Sequence, residues 1–371
     1  MVEADTLEGR GLAAALPGRA PPLAGRRPLL ALSRGADGRR LGVVLVNFRQ
    51  PEATIECLES LLRINSDFRI VVVENGSGDD SVERIRTWAR GEAPYRPPPG
   101  KLGALTTPAV PKPLDLAEPS AEVPVSGGAP RLSLIVSPTN LGFAGGNNLG
   151  TRWLLGDTLI DRIWFLNNDT VVAPSAVDAL LRTFEADPHM GMVGTAVRFY
   201  DDPTRVQALN GMRFSWMTGQ AAAIRGGRLV SEPYDPKRVV DETSFVLGAS
   251  LAVSRAFWET VGPMSERYFL YYEEMDWAVR NAGRFRIGFA RGAIVYHKHG
   301  GSIGSSATRG GRSALSDYYM LRSRLLFYRL HRPMLLPLIW VQGLVQTGVR
   351  LLRRQPEKAL KMARALVGLP Y

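Results

Sequence analysis

The sequence predicts an α/β fold, a sheet with helices on both faces, followed by a basic helical tail. Three observations predict it. Short apolar, β-branched runs alternate four times with segments of helical apolar spacing between residues 41 and 186. Each run ends in polar residues, at Asn47, at Glu74-Asn75, from Ser137 onward and at Asn167-Asn168-Asp169. In such sheets ligands sit beyond the carboxyl ends of the strands. Charge is also segregated: residues 301–371 hold 12 Lys+Arg against 2 Asp+Glu, a net of +10, whereas 41–300 hold 27 against 29.

Residues 1–40 are rich in Ala, Gly, Pro, Leu and Arg and lack any period, so a disordered leader is expected. Leu41–Val46 reads as a strand buried on both faces. Pro51 then opens a helix in which Ile55, Leu58, Leu61 and Leu62 share a face. Arg69–Val73 is a second strand, and a helix follows from about Asp80 to Arg90. Ten of the 39 residues 92–130 are proline, which predicts a long flexible insertion. The fold resumes with a strand at Leu132–Val136, a Gly-rich turn feeding a helix at Asn148–Leu155, a strand at Ile163–Leu166 and a helix at Ser175–Ala186. Further strands are expected at Met192–Phe199, Ser244–Val253 and Arg286–Phe289, and helices at Arg255–Val261 and Glu273–Gly283. The body thus covers 41–311, and 312–371 is a helical tail with basic and aromatic residues interleaved.

Composition removes several classes of function. Of the 371 residues only Cys57 is a cysteine and four are histidine, which excludes a disulfide scaffold and a structural zinc cluster. No N-terminal signal pattern is read, and no stretch reaches ~18 uncharged apolar residues, so a spanning helix is not expected. The nearest approach is Met334–Val349, interrupted by Pro337, Gln342 and Gln346. A nucleic-acid partner is not expected either, because the carboxylate-rich strand ends would repel phosphates.

Four clusters could carry chemistry. Asp169 closes a buried strand, where a carboxylate can ligate a hard divalent cation with a diphosphate supplying further oxygens; an Asx turn is the plain alternative. Asn140–Gly150 is Gly-rich, so backbone N–H groups can approach a phosphate or sugar. Tyr271-Tyr272-Glu273-Glu274-Met275-Asp276 packs three carboxylates beside two aromatics. That composition suits either a helix start or a partly desolvated general base. His297 follows a strand-like run and could ligate Mn²⁺ or Mg²⁺ beside a carboxylate.

Taken in order, Val-Asn-Phe, Val-Glu-Asn-Gly-Ser, Asn-Leu-Gly-Phe-Ala-Gly-Gly-Asn-Asn-Leu-Gly, Phe-Leu-Asn-Asn-Asp-Thr, Leu-Gly-Ala-Ser, Phe-Leu-Tyr-Tyr-Glu-Glu-Met-Asp and His-Lys-His-Gly-Gly-Ser resemble the family 2 glycosyltransferases, in particular a bacterial rhamnosyltransferase-like branch, over about 41–330. The resemblance implies a GT-A fold, a nucleotide-sugar-binding mixed sheet. It implies an inverting transfer of a sugar from a nucleotide-diphosphate donor to a hydroxyl of a cell-surface glycan or lipid-linked acceptor, with Mg²⁺ or Mn²⁺ as cofactor. By the same resemblance Asn47, Glu74, Asn75, Asn140, Gly142, Asn147, Asn168 and Arg322 would bind the donor, and Asp169 and His297 the metal. Glu274 would be the base, with Glu273 and Asp276 as alternatives. Glu74 and Glu274 stand where the family usually has Asp, and Ser323 where it has Asn, which leaves a catalytically degenerate sugar- or partner-binding protein as the rival reading. The tail suits an anionic membrane surface, and so a cytoplasmic protein peripheral at the inner face of the membrane.

Overall fold

A computed structural model describes residues 40–120, 130–298 and 313–371. The expected leader up to residue 39 and the end of the His297 motif, residues 299–302, lie outside the described residues.

The chain opens with β1 (Arg40–Asn47), α1 (Pro51–Leu62), β2 (Phe68–Asn75) and α2 (Ser81–Arg90). Pro51 occupies the first turn of α1, where its missing N–H costs nothing. Gly91 ends α2 in the left-handed conformation. There follow β3 (Leu116–Ala117), β4 (Leu132–Ser137), α3 (Gly142–Leu154), β5 (Ile160–Asn167), β6 (Thr170–Val172), α4 (Ala176–Glu185) and β7 (Met190–Phe199). Then come β8 (Val206–Leu209), β9 (Gly211–Ser215), β10 (Gln220–Ala223), α5 (Pro236–Glu242), β11 (Phe245–Val246), β12 (Ser250–Ser254) and α6 (Arg255–Val261). The last elements are α7 (Glu273–Asn281), β13 (Arg286–His297), α8 (Ala314–His331), α9 (Leu336–Leu352) and α10 (Pro356–Leu366).

The main sheet runs β3-β4-β2-β1-β5-β12-β7-β13-β6, with β8 beside β7. The half from β3 to β5 is parallel, and β12 enters antiparallel to both β5 and β7, so the sheet is mixed. Alternate residues of β1 and β2 feed two cores. Val43, Leu45, Ile70 and Val72 pack with Leu58, Trp88 and Leu180 on one face. Val44, Val71 and Val73 pack with Ala144, Trp153 and Leu154 on the other. Helices therefore cover both faces, as the period of the strands requires.

Four expectations need correction. The Gly-rich segment is not a turn before a helix: Gly142 to Gly150 form the first turns of α3, and the glycines among them let that helix lie close on the sheet. A Cβ at Gly150 would meet Val44 at 2.7 Å. Ser244–Val253 is not one strand. It breaks at Leu247-Gly248-Ala249 into β11, in a small β10-β9-β11 sheet, and β12, in the main sheet. The proline-rich segment, where described, is packed rather than flexible. Lys112 Nζ donates to the fully buried Glu59 Oε1 (2.9 Å), Val110 N donates to Glu59 Oε2 (2.7 Å), and Trp88 Nε1 donates to Glu59 Oε1 (2.8 Å). One buried carboxylate thus staples the segment to α1 and α2.

The tail is the fourth correction. Its aromatics do not face outward: Tyr318, Phe327 and Tyr328 are buried, and Phe327 packs on Trp216, Phe214 and Tyr272. The outward apolar surface belongs to α9, through Leu338, Trp340, Val341, Leu344 and Val345. With the turn before it, Pro333–Leu352 is one helix long and apolar enough to cross a membrane by length and composition, where the sequence suggested none.

Candidate active site

A cavity of about 850 Å³ opens at the carboxyl ends of β1, β2 and β5 and continues to the tail helices. That volume lies in the range of small-molecule sites.

At the end of β5 the chain turns through Asn168-Asp169 into β6, and β6 pairs with β13 so that Thr170 faces His297. This register brings residues 128 positions apart together: His297 Nε2 lies 3.2 Å from Asp169 Oδ1. Gln207 Oε1 accepts from His297 Nδ1 at 3.0 Å, and Asn167 Nδ2 lies 3.2 Å from Nε2. With the Nδ1 proton held by Gln207, the Nε2 lone pair and the carboxylate converge on one point, and that arrangement suits a bound cation. The donor set, one hard oxygen and one imidazole, fits Mn²⁺ or Mg²⁺. Among the described residues no third His, Cys, Asp or Glu joins them, so a diphosphate and water would complete the shell. Cys57, close by under Thr170, has its thiol pushed up to about 12 by burial and is not a ligand.

The neighbouring strand ends form one hydrogen-bonded rim. Asn75 Nδ2 donates to Asn140 Oδ1 and to the Gly142 carbonyl, both at 3.1 Å, and Leu141 N donates back to Asn75 Oδ1. Gly142 sits at φ +71° against the Phe269 carbonyl, a place closed to any side chain. Asn75, Asn140, Gly142, Asn147 and Asn168 line the cavity as the sequence suggested.

Four sequence-derived residues do not line it. Asn47 turns to Thr54, whose hydroxyl donates to Asn47 Oδ1 (2.8 Å) and accepts from Asn168 Nδ2 (2.9 Å), so Asn47 is linked to the cavity only through Thr54 and Asn168. Glu74 closes its own loop, accepting from Ser77 N at 3.0 Å. Asp276 is buried and engaged by Arg280 Nε (2.7 Å), His331 Nε2 (2.7 Å) and Tyr268 OH (3.2 Å), which leaves its carboxylate committed to structure. Arg322 points away and donates to the Arg267 carbonyl. Two residues on, which is nearly the opposite side of a helix, Arg324 lines the cavity instead.

Glu273 and Glu274 open α7 on the cavity wall. Burial, then the charges of Glu274 and Asp276, hold Glu273 well above the usual carboxylate range, and burial raises Glu274 too. Their placement is forced by an unusual backbone. Tyr271 and Tyr272 both have positive φ, +68° and +75°, which bulky residues adopt only under constraint. The constraint comes from elsewhere in the fold: Tyr271 OH bonds Ser316 Oγ (3.1 Å), Tyr272 OH donates to the Gly219 carbonyl (3.2 Å), and Ser323 Oγ donates to the Leu270 carbonyl (2.8 Å). The Glu274 carboxylate itself lies on Gly248, in the break between β11 and β12. A Cβ there would fall 2.7 Å from Glu274 Cδ and closer still to Oε1. Gln207, Gly248 and Arg324 carried no residue-level signal in the sequence, although Gly248 lies within the Leu-Gly-Ala-Ser motif.

Residues 117–239 match the family model described as glycosyl transferase family 2. That segment holds the Asn140–Gly150 and Asn167–Thr170 motifs but not Glu274 or His297. No curated protein matches the chain. Among solved structures it is similar to the mannosyltransferase PcManGT from Pyrobaculum calidifontis with GDP-Man and Mn²⁺ (13% identity, 90% of this chain, 76% of that one, TM-score 0.47). It is also similar to GalNAc-T7 with UDP, GalNAc and Mn²⁺ (11%, 77% and 47%, TM-score 0.49) and to S. aureus TarS 1–349 with UDP-GlcNAc (11%, 88% and 81%, TM-score 0.46). The family match thus covers the segment from β4 to β10, within a mixed sheet covered by helices on both faces.

Proposed function

We propose that the protein transfers a sugar, with inversion, from a nucleotide-diphosphate donor to an acceptor hydroxyl and depends on Mn²⁺ or Mg²⁺ for doing so. One observation carries this reading: a convergent Asp169–His297 pair and a partly buried Glu274 line the same cavity. Asp169 and His297 would hold the cation, which when bound neutralises charge on the leaving diphosphate. Asn75, Asn140 and the start of α3 orient the donor. Glu274 takes the proton of the acceptor hydroxyl while that oxygen attacks the anomeric carbon. The bond from that carbon to the diphosphate oxygen breaks, and the nucleoside diphosphate leaves with its electron pair. The motif order of the sequence points to rhamnose as the sugar and to a cell-surface glycan as the product.

The acceptor side faces a membrane in this reading. The exposed apolar residues of α9, with Arg350, Arg353 and Arg354 at its end, suit an anionic interface at the inner face of the membrane. The helix lies on that surface rather than crossing it, because Ile339 and Gly343 pack into the protein and Gln346 lines the cavity.

Glu274→Gln tests the chemistry. It should keep Mn²⁺-dependent nucleotide binding and lose nucleoside diphosphate release from the sugar nucleotide by about 10²-fold or more. Retained turnover would move the base to Glu273.

A further inference from the structure

A second, smaller pocket of about 50 Å³ lies between β7, β13 and the turn after β10. A cavity needs about 10–15 Å³ to take one water, so this one has room for an ion of phosphate size. Three guanidinium groups line it, those of Arg198 in β7, Arg225 after β10 and Arg291 in β13. Arg198 is half-buried and lies over the Tyr296 ring, 5.9 Å from its centre. Among the described residues neither Arg198 nor Arg291 has a side-chain hydrogen bond or an ion pair. Arg225 is held in place: its backbone has φ +61°, and Nη2 donates to Glu232 Oε2 and to the Pro233 carbonyl, both at 3.3 Å. Glu232 is the one carboxylate on the described wall, and Arg228 shares it at 3.7 Å. Burial raises the Tyr234 hydroxyl, and the charges of Arg291, Arg198 and Arg225 pull it back, so all three reach one oxygen on the pocket wall.

A guanidinium drawn partly out of water has lost hydration and gains from an anionic partner more than one in bulk solvent does. Its donors form a fork that matches phosphate oxygens. The pocket also has a defined place in the fold. Arg198 pairs with Val206 and Val197 with Ala208, so Gln207 is the extra residue of a bulge in β8. The bulge aims Gln207 at His297 in the large cavity, while Val206 and Leu209 line the small pocket. One short strand thus has the Asp169–His297 pair on one side and the arginines on the other.

We propose that the small pocket is a second, non-catalytic site that binds a phosphate group, free or on a small ester, through Arg198, Arg225 and Arg291. Arg198 and Arg291 supply the donors that have no partner within the described chain, and the Tyr234 hydroxyl donates one more bond. The bound phosphate rests against the bulge that carries Gln207 and takes no part in sugar transfer. The site goes beyond the proposed function, since it stands whether or not the large cavity holds a sugar nucleotide.

The test is calorimetric titration of the full chain with inorganic phosphate in about 0.15 M sodium chloride, without Mn²⁺ or nucleotide. One equivalent should bind. Arg198→Gln and, separately, Arg291→Gln should each weaken it by about tenfold, and Arg198→Lys should recover part of the loss. Arg291 is exposed, so its variant keeps the test alive if Arg198→Gln does not fold. Arg353→Gln, on the wall of the large cavity, should leave phosphate binding unchanged. Methyl phosphate separates the two sources. Arg291-dependent binding as tight as that of inorganic phosphate assigns the pocket to a phosphorylated molecule, and binding about tenfold weaker assigns it to the free ion; either supports the site. Phosphate that binds without a defined stoichiometry, or equally well to Arg291→Gln, is an adventitious ion only and overturns the proposal. Binding lost in Arg353→Gln but kept in Arg291→Gln puts the phosphate in the large cavity and overturns it as well.

Discussion

Replacing Gly248 with alanine should slow turnover while sparing the fold. The new Cβ would lie 2.7 Å from Glu274 Cδ and 3.1 Å from Cγ, where ordinary contact is 3.4–4 Å. Cδ must therefore retreat by about 0.7 Å and the oxygen, which starts closer still, by well over 1 Å, and a displacement of ~1 Å at a reacting group can already cost ~10²-fold in rate. At 25 °C this is about 2.7 kcal/mol of barrier. The fold should lose little, because the obstructing atoms end a flexible side chain; an off-rotamer glutamate costs about 0.5–1.5 kcal/mol. The assay is the rate of nucleoside diphosphate release at saturating sugar nucleotide, with the thermal midpoint measured alongside. The double variant with Glu274→Gln should be no slower than Glu274→Gln alone, since both act through one carboxylate. Full turnover in Gly248→Ala would refute the assignment of Glu274 as the base.

Because burial raises Glu274 above the ordinary 4.5, the acid limb of the rate profile should have its midpoint above that value and vanish in Glu274→Gln. Glu273 gives a stability effect of known sign. Its pKa is raised in the folded state, so the folded protein holds the proton more tightly than the unfolded chain, and stability falls as pH rises from about 4.5 through the raised value. Glu273→Gln should match the parent's melting temperature at pH 4 and exceed it at pH 8; a lower value at pH 8 would contradict this. Lys112→Met leaves Glu59 buried without its cation and should cost about 3 kcal/mol in urea unfolding, against almost nothing if the proline-rich segment were loose. Leu338→Glu with Val345→Glu should abolish sedimentation with anionic vesicles at an unchanged melting temperature, both positions being exposed.

The strands and helices of the parallel half were legible because each buried strand is a continuous β-branched run and each helix repeats its apolar face. Local pattern decides such elements. The break at Leu247-Gly248-Ala249 was not legible, since a strand that changes sheet keeps its apolar composition and only the partner differs. The packing of the proline-rich segment was hidden for a related reason: it depends on Glu59, a charged residue in α1 whose burial no period announces. In the site, Asp169 and His297 were readable as candidates, but their meeting depends on the pairing of β6 with β13, a long-range register. Arg322 and Arg324 differ by two positions on one helix, so the motif located the turn while packing chose the face. The positive φ of Tyr271 and Tyr272 has no sequence signature, because aromatics there are held by contacts from α8 and Gly219 rather than by their own preference.

Binding of a nucleotide diphosphate together with a divalent cation at Asp169 and His297 is open to measurement by thermal shift. UDP, dTDP and GDP would each be added with and without Mn²⁺ to the full chain and to Asp169→Ala. At least one diphosphate should stabilise the parent only when Mn²⁺ is present, by about 2.7 kcal/mol at a hundredfold excess over its Kd, and Asp169→Ala should lose the effect. Folded parent protein that none of the three stabilises, or an Asp169→Ala variant that keeps the full Mn²⁺-dependent shift, would contradict it.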